Sequence, residues 1–281
     1  MTAIAFGLLA ALLWGTSATV GTRLVRLAGT WASIATTMLI GLALVAPFAL
    51  ASDFPHAPLE SWAWAISSGL CYVAASTCWL LAVRTGKVSL VTPIVSIDGA
   101  IAALIAVAAF DETLRAGVAA ALAVIVAGVV TASIRRDLDE GGRFTGRELA
   151  LSLASAGLFG FTFVASAQAQ EALDVVWTLV ASRATAVAIL VPVALVLGGL
   201  RLPRKAIPFA IGMAALDLGG YAAFLAGAPV SVAITSVLAS QYAIVAVAGG
   251  FLVLGERLTR LQTGGIAITV AGVAALAALR A

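Results

Sequence analysis

The tripeptide Glu112-Thr113-Leu114 returns 144 residues later, with its middle residue changed, as Glu256-Arg257-Leu258. Working outward, Leu13-Trp14-Gly15 recurs as Leu158-Phe159-Gly160, at a nearly equal shift of 145 residues. Motifs that return in the same order at one spacing indicate a structural unit that the sequence contains twice. The 281-residue chain is therefore predicted to consist of two related halves.

The loops of the two halves carry opposite charge. On the same alignment Arg26 corresponds to Glu171, and Glu60 corresponds to Lys205. Lys and Arg accumulate in the cytoplasmic loops of membrane proteins, so equivalent loops on opposite faces differ in basic content. The reversal indicates that the second half enters a membrane upside down, an architecture used chiefly by secondary transporters.

The composition supports a membrane protein. The chain is 62% hydrophobic and 10% charged, with a mean hydropathy of +1.12, whereas soluble domains carry roughly 25% charged residues. Apolar runs long enough to cross ~30 Å of hydrocarbon predict ten spans. They lie near residues 3–22, 30–51, 62–83, 88–110, 116–134, 149–169, 175–198, 206–227, 231–254 and 262–279. The predicted fold is an all-α polytopic membrane protein of two inverted five-helix repeats, residues 1–134 and 149–281, joined by a cytoplasmic linker, 135–148.

The basic residues also predict the orientation. Thirteen Lys and Arg residues fall in the loops of one face, and only Arg115 and Arg280 fall on the other. The face with more basic residues is expected in the cytoplasm. This places both termini outside, on the periplasmic or extracellular side of a bacterial inner membrane.

Three ionisable side chains fall well inside predicted spans: Asp98, Arg183 and Asp217. A charge at that depth costs at least ~2.5 to 3.5 kcal/mol, so such groups usually pair or line a wet cavity. One interpretation is a structural ion pair of Arg183 with Asp217 or Asp98. The other is contact with a polar substrate. Two acids and one base leave one acid that is either protonated or available to an ammonium group.

Aromatic and polar side chains form stripes at helical spacing, on the spans that carry the charges and on other spans. The shift of 144 residues also places Asp98 opposite Tyr242. With the three charged residues, the predicted substrate site contains Tyr72, Ser76, Trp79, Phe159, Phe163, Tyr221, Gln241 and Tyr242. The fifth and tenth spans carry mostly small apolar residues and are predicted to be scaffold.

Hinges and gates are predicted at helix-breaking and helix-end positions. Prolines in spans interrupt backbone hydrogen bonding and serve as hinges or as stable kinks. The two repeated glutamates either cap the positive N-terminus of the following helix or form gate contacts. The candidates are Pro47, Pro93, Pro192, Glu112 and Glu256.

The sequence argues against catalysis by the chain. The single histidine, His56, lies in a predicted loop, and neither a P-loop nor a metal-ligand cluster occurs. Cys71 and Cys78 are separated by ~10 Å along a helix, too far for a disulfide. No catalytic residue, metal, cofactor or nucleic-acid partner is predicted. The expected partners are a small-molecule substrate and the lipid bilayer, and the oligomeric state stays open. An intramembrane enzyme and a passive channel are the disfavoured alternatives.

Three stretches carry a family resemblance: LLWGTSATVGTRLV (Leu12 to Val25), FDETLRAG (Phe110 to Gly117) and VLGERLTRLQTGG (Val253 to Gly265). With the five-plus-five repeat, the chain resembles the EamA-type members of the drug/metabolite transporter superfamily. The interior looks most like that of the YddG-type exporters of aromatic amino acids. The resemblance implies export of aromatic amino acids or related metabolites by alternating access. The alternative is export of other metabolites or drugs, including proton-coupled export. The first half departs from the motif, with Phe110-Asp111 where the second has Leu254-Gly255.

Overall fold

The structure is a computed structural model that describes residues 1–85, 91, 94–133, 146–246, 248 and 259–280. The predicted sites Pro93 and Glu256, and residues 135–145 of the predicted linker, lie outside the described residues. The helices are α1 (Thr2–Ala28), α2 (Thr30–Leu50), α3 (Leu59–Thr85), α4 (Asp98–Ala109), α5 (Ala116–Ser133), α6 (Gly146–Leu197), α7 (Ile207–Gly227), α8 (Val232–Ala239) and α9 (Arg260–Arg280). Six described helical stretches are long and apolar enough to cross a membrane, which confirms the all-helical membrane fold.

Helix α6 contains two of the predicted spans, joined at an elbow. Asp174 has φ 59° and ψ −178°, outside helical values, and it separates a first arm (residues 146–173) from a second arm (residues 175–197). The Asp174 carboxylate accepts a hydrogen bond from the Trp177 backbone N–H at 3.0 Å. This side chain therefore caps the start of the second arm.

The spans predicted at 88–110 and 231–254 each contain a break that the sequence analysis did not locate. Turns at Ser96-Ile97 and Ser240-Gln241 interrupt them, and helix resumes at Asp98 and at Tyr242. At the second break the Val237 carbonyl accepts hydrogen bonds from Ser240 Oγ at 2.9 Å and Gln241 Nε2 at 3.0 Å. These side chains replace a backbone donor, so the helix breaks there. The two breaks are 144 residues apart, the same shift as in the sequence.

Contacts across the molecule repeat in the same way. A Cβ on Gly15 would lie 2.8 Å from the carbonyl oxygen of Tyr242, and a Cβ on Gly160 would lie 2.8 Å from that of Asp98. Gly15 and Gly160 are equivalent in the repeat, as are Tyr242 and Asp98. Both contacts need glycine because the backbones approach so closely. The duplicated sequence is thus also duplicated in its packing.

Helices of one repeat pack on helices of the other. Helix α1 packs on α7, α3 on α6, α2 on α6, α4 on α8, and α5 on α9. The α5–α9 pair, which the sequence predicts to be scaffold, is closely packed, since a Cβ on Gly265 would overlap the backbone of Ala132. The remaining helices surround the three mid-span charges. Both Pro47 and Pro192 lie inside helices that continue through them, so their role as hinges stays a prediction.

Candidate functional site

The centre of the site is a buried ion pair between two helices of the second repeat. Arg183 Nη2, on the second arm of α6, lies 2.7 Å from Asp217 Oδ2 in the middle of α7. Arg183 is 3% exposed, and the Asp217 side chain is 15% exposed. Of the two pairings that the sequence left open for Arg183, the structure shows the one with Asp217, and this centre is largely closed to solvent.

The guanidinium of Arg183 is only partly satisfied. Its Nη1 donates to the thioether of Met38 at 2.8 Å, and thioether sulfur is a weak acceptor. Within the described part of the chain, the buried Nε has no hydrogen-bond partner. A buried polar group without a partner costs roughly 1 to 3 kcal/mol. The pair with Asp217 thus leaves donor capacity that a substrate carboxylate could use.

Aromatic rings flank the guanidinium on two sides. The Arg183 Cζ atom lies 5.8 Å from the ring centre of Tyr72 and 5.4 Å from that of Tyr221. Both distances are within the range of cation–π attraction. Ser76 is a hydrogen-bond partner of the Tyr72 hydroxyl. Helices α3 and α7 therefore each place a predicted site residue against Arg183.

A cluster of four aromatic side chains adjoins the ion pair. Trp14 lies 5.6 Å from Phe163, 6.4 Å from Tyr221 and 6.5 Å from Phe224, ring centre to ring centre. Phe163 and Phe224 are 4.8 Å apart. The Trp14 indole also donates to the Asp217 backbone carbonyl at 3.1 Å. Tyr221 belongs both to this cluster and to the surroundings of Arg183, so an apolar aromatic surface begins next to the charges.

Asp98 and Tyr242 form a second polar centre. Asp98 is 2% exposed, and its carboxylate accepts a hydrogen bond from the Gly99 backbone N–H at 2.7 Å. The Tyr242 hydroxyl is its other hydrogen-bond partner. Among the described residues, the contacts of this centre share no residue with those of the Arg183 guanidinium.

The remaining predicted substrate residues lie at different distances from the charges. Phe159 meets Tyr72 edge to face at 5.8 Å, so it joins the outer part of the Arg183 site. Trp79 is 37% exposed and lies outside this set. Gln241 is buried at an apolar groove of about 480 Å³ that is also lined by Leu12 and Val270.

Glu112 caps a helix, but not the one that follows it in sequence. Its carboxylate accepts hydrogen bonds from the hydroxyl of Ser231 and, at 3.1 Å, from the Ala233 backbone N–H. Ser231 in turn accepts from the Ile234 backbone N–H at 3.1 Å. The expectation that Glu112 caps the next helix, α5, is therefore corrected: it caps α8 of the second repeat, because an anionic group stabilises a helix N-terminus wherever the chain brings it.

The two centres lie on the symmetry axis of the repeat. Met38 is the first-repeat equivalent of Arg183 at the shift of 145 residues, and the two side chains touch. Asp98 and Tyr242 are equivalent at 144 residues, and they also touch. Residues related by a two-fold axis can touch each other only close to that axis. Both centres are therefore at the interface of the inverted repeats, where transporters of this architecture bind substrate.

The set of predicted substrate residues did not include Trp14, Met38 or Phe224. The repeat contained a signal for the first two, since Trp14 is equivalent to Phe159 and Met38 is equivalent to Arg183. Phe224 lies one helical turn beyond Tyr221 on the same face of α7. For Trp14 and Met38 the missing step was to place both members of an equivalent pair in one site.

The sequence profile of the EamA-like transporter family matches residues 1–134 and 147–278. The chain belongs to this family. As an EamA-like protein it has two repeats of five helices, is a multi-pass membrane protein of the drug/metabolite transporter type, and is expected to act on small molecules. A solved crystal structure is similar to the chain with a TM-score of 0.79, covering 99% of this chain and 96% of that one at 18% sequence identity, which supports the fold. No curated protein matches the sequence.

Proposed function

We propose that this EamA-like protein exports amino acids with aromatic side chains across the bacterial inner membrane by alternating access. The observation that carries the proposal is the partly satisfied Arg183–Asp217 pair, which directly adjoins an aromatic cluster. Charge and ring surface together match a zwitterion with a large aromatic side chain. No bound cofactor takes part in this function.

The two charges suit the two ends of an α-amino acid. The planar guanidinium of Arg183 can bind a carboxylate with two parallel hydrogen bonds, and Asp217 can receive the ammonium group. A zwitterion inserted between them replaces one ion pair with two. This keeps every buried charge paired, which matters because an unpaired buried charge costs about 3 to 5 kcal/mol.

The aromatic cluster provides the surface for the side chain. Trp14, Phe163, Tyr221 and Phe224 meet beside Asp217. A ring that packs among them gains apolar burial and roughly 0.5 to 1.5 kcal/mol from ring contacts. A small amino acid such as alanine gains little of either. The cluster thus favours phenylalanine-like substrates over small ones.

Glu112 fits the role of an outer gate. It lies between α4 and α5, and its hydrogen bonds to Ser231 and Ala233 tie the first repeat to the start of α8. The positive-inside distribution puts this end of the molecule outside. Release to the outside requires the two repeats to separate here, with Pro47 and Pro192 as the proposed hinges.

Counterflow in sealed vesicles that contain the purified protein tests the proposal. Labelled phenylalanine should enter faster when the lumen holds unlabelled phenylalanine than when it is empty. Entry should be slower when the lumen holds alanine, or phenylpropionate, which lacks the ammonium group, in place of phenylalanine. Equal exchange with all three would contradict the proposed site. A passive channel would show no counterflow. Recovery of the labelled solute as unchanged phenylalanine would exclude conversion by an enzyme.

Thiol labelling tests the orientation. In a variant whose Cys71 and Cys78 are replaced by serine, a cysteine introduced next to His56 should react with an impermeant reagent in intact cells. A cysteine next to Arg143 should be protected. The reverse pattern would overturn the orientation and, with it, the direction of the proposed export.

A further inference from the structure

We propose that Asp98 is a proton-binding site through which an inward proton gradient drives export, separate from the Arg183 site. The inference rests on the proposed export function. It assigns to Asp98 and Tyr242 a role in energy coupling instead of the contact with substrate that the sequence predicts.

The surroundings of Asp98 allow its carboxyl group to exist with and without a proton. Burial at mid-depth disfavours the charged form. Two donors, the Gly99 N–H and the Tyr242 hydroxyl, stabilise the charged form. None of its described contacts is with a cation, since Arg183 is held by Asp217. A carboxyl group under these opposing influences changes its proton occupancy when its hydration changes.

The neighbouring helices bring no competing ionisable contact within the described residues. Helices α5 and α8 contain no ionisable side chain within their bounds. On α6, Arg183 pairs with Asp217, Glu171 accepts from Gln168 at 3.4 Å, and Asp174 caps its own arm. The other ionisable residues of α6 are Arg147 and Glu148, in its first turn. Tyr242 is therefore the titratable partner that faces Asp98.

The position of Asp98 gives it access to both sides in turn. Asp98 and Tyr242 each begin the helical segment after a break, in equivalent spans of the two repeats. Their mutual contact puts them at the two-fold axis, midway between the faces. When inverted repeats exchange conformations, a group on the axis keeps its depth while the water-filled side changes. Rearrangement of the broken helices around Asp98 thus exposes one carboxyl group alternately to outer and inner water.

The proton balance of the cycle is simple. The Asp98 carboxylate takes a proton from external water after the substrate has been released outside. The neutral carboxyl group passes through the inward transition, and the proton leaves to cytoplasmic water before or as the next substrate binds at Arg183. One proton enters for each zwitterionic amino acid that leaves. An inward proton gradient can drive export only in this antiport direction.

Vesicles with an acidic lumen provide the test. The wild-type protein should accumulate labelled phenylalanine above its external concentration, and a proton ionophore should abolish the accumulation. We expect Asp98→Asn to lower the ratio of gradient-driven accumulation to counterflow by at least about tenfold, because the amide cannot carry the proton. Glu171→Gln, which neutralises an exposed acid, is the matched control and should leave the ratio unchanged.

Three other outcomes of these assays would each overturn the proton site. Counterflow without accumulation in the wild type would leave the proposed function intact and remove the proton site. An unchanged ratio in Asp98→Asn, or loss of counterflow together with accumulation at equal amounts of folded protein, would also overturn it. If Asp98→Asn does not fold, Tyr242→Phe replaces it: the pH profile of accumulation should change relative to that of counterflow, and an unaltered profile would contradict the proposal.

Discussion

Equivalent positions of the two repeats carry different chemistry at the proposed substrate site. At the shift of 145 residues, the first repeat has Met38, Tyr72 and Ser76 where the second has Arg183, Asp217 and Tyr221. Both sets meet at the axis. The site therefore has a neutral wall from the first repeat (Met38, Tyr72 and Ser76) and a charged wall from the second (Arg183, Asp217 and Tyr221). The duplication gives the two repeats matching backbone geometry, which the proposed alternating access requires. The divergence of side chains puts the guanidinium on one repeat only, where we propose that the substrate carboxylate binds.

Removing the positive charge of Arg183 at the axis should have the largest effect on transport. Arg183→Met, which copies the first-repeat residue, should lower phenylalanine counterflow at least about hundredfold, because the substrate loses its anchor and Asp217 is left unpaired at a cost of about 3 to 5 kcal/mol. Arg183→Lys keeps the charge but loses the planar fork, so it should retain part of the rate. Initial rates per amount of folded protein measure both.

The matched control is a substitution in the neutral wall. Met38→Leu conserves volume and should cost under about 1.5 kcal/mol of stability, with counterflow close to the parent rate. Parent rates in Arg183→Met, or an equal loss in Met38→Leu, would show that the two walls do not differ in function.

The aromatic cluster should give a smaller and selective effect. Trp14→Leu should lower the ratio of phenylalanine to alanine counterflow by roughly two- to tenfold, which corresponds to 0.5 to 1.5 kcal/mol of ring contacts. Trp64→Leu is the control, because Trp64 contacts Phe110 and Phe161 outside the cluster. If both variants changed the ratio equally, the cluster would not be the binding surface for the side chain.

The scaffold pair should influence stability without altering selectivity. Gly265→Ala forces a Cβ against the backbone of Ala132 on α5 and should destabilise the protein by about 1 to 3 kcal/mol. A Cβ on Gly157 would meet nothing within 4 Å, so Gly157→Ala should not destabilise it. Thermal unfolding and the counterflow ratio are the measurements. A changed ratio in Gly265→Ala would connect α5 and α9 to substrate recognition.

Much of the fold was predictable because the repeat and the apolar spans are visible in the order of residues along the chain. The repeat, the inversion and the mid-span positions of Asp98, Arg183 and Asp217 follow from spacing and charge alone. The elbow at Asp174 also fell between two predicted spans. These features depend on local sequence and on the thickness of the membrane, and so they could be predicted without tertiary contacts.

The arrangement of the site was less predictable because it depends on contacts between repeats. Sequence placed Asp98 and Arg183 in one pocket, whereas the structure gives them separate partners. Glu112 was expected to cap its neighbour in sequence, yet it caps α8 through Ser231 and Ala233. The break at Ser240 depends on the side chains of Ser240 and Gln241, which compete for the Val237 carbonyl. Apolar periodicity contains no signal for that competition.

The central claim is that Arg183 and Asp217 bind the substrate and do not merely lock two helices together. The double variant Arg183→Met/Asp217→Leu tests it directly, since replacing both members of a buried pair by apolar groups is often neutral for stability. The account predicts that the double variant regains the folded protein lost in Arg183→Met, while phenylalanine counterflow stays at the background of empty vesicles. Counterflow that returned together with folding would contradict it.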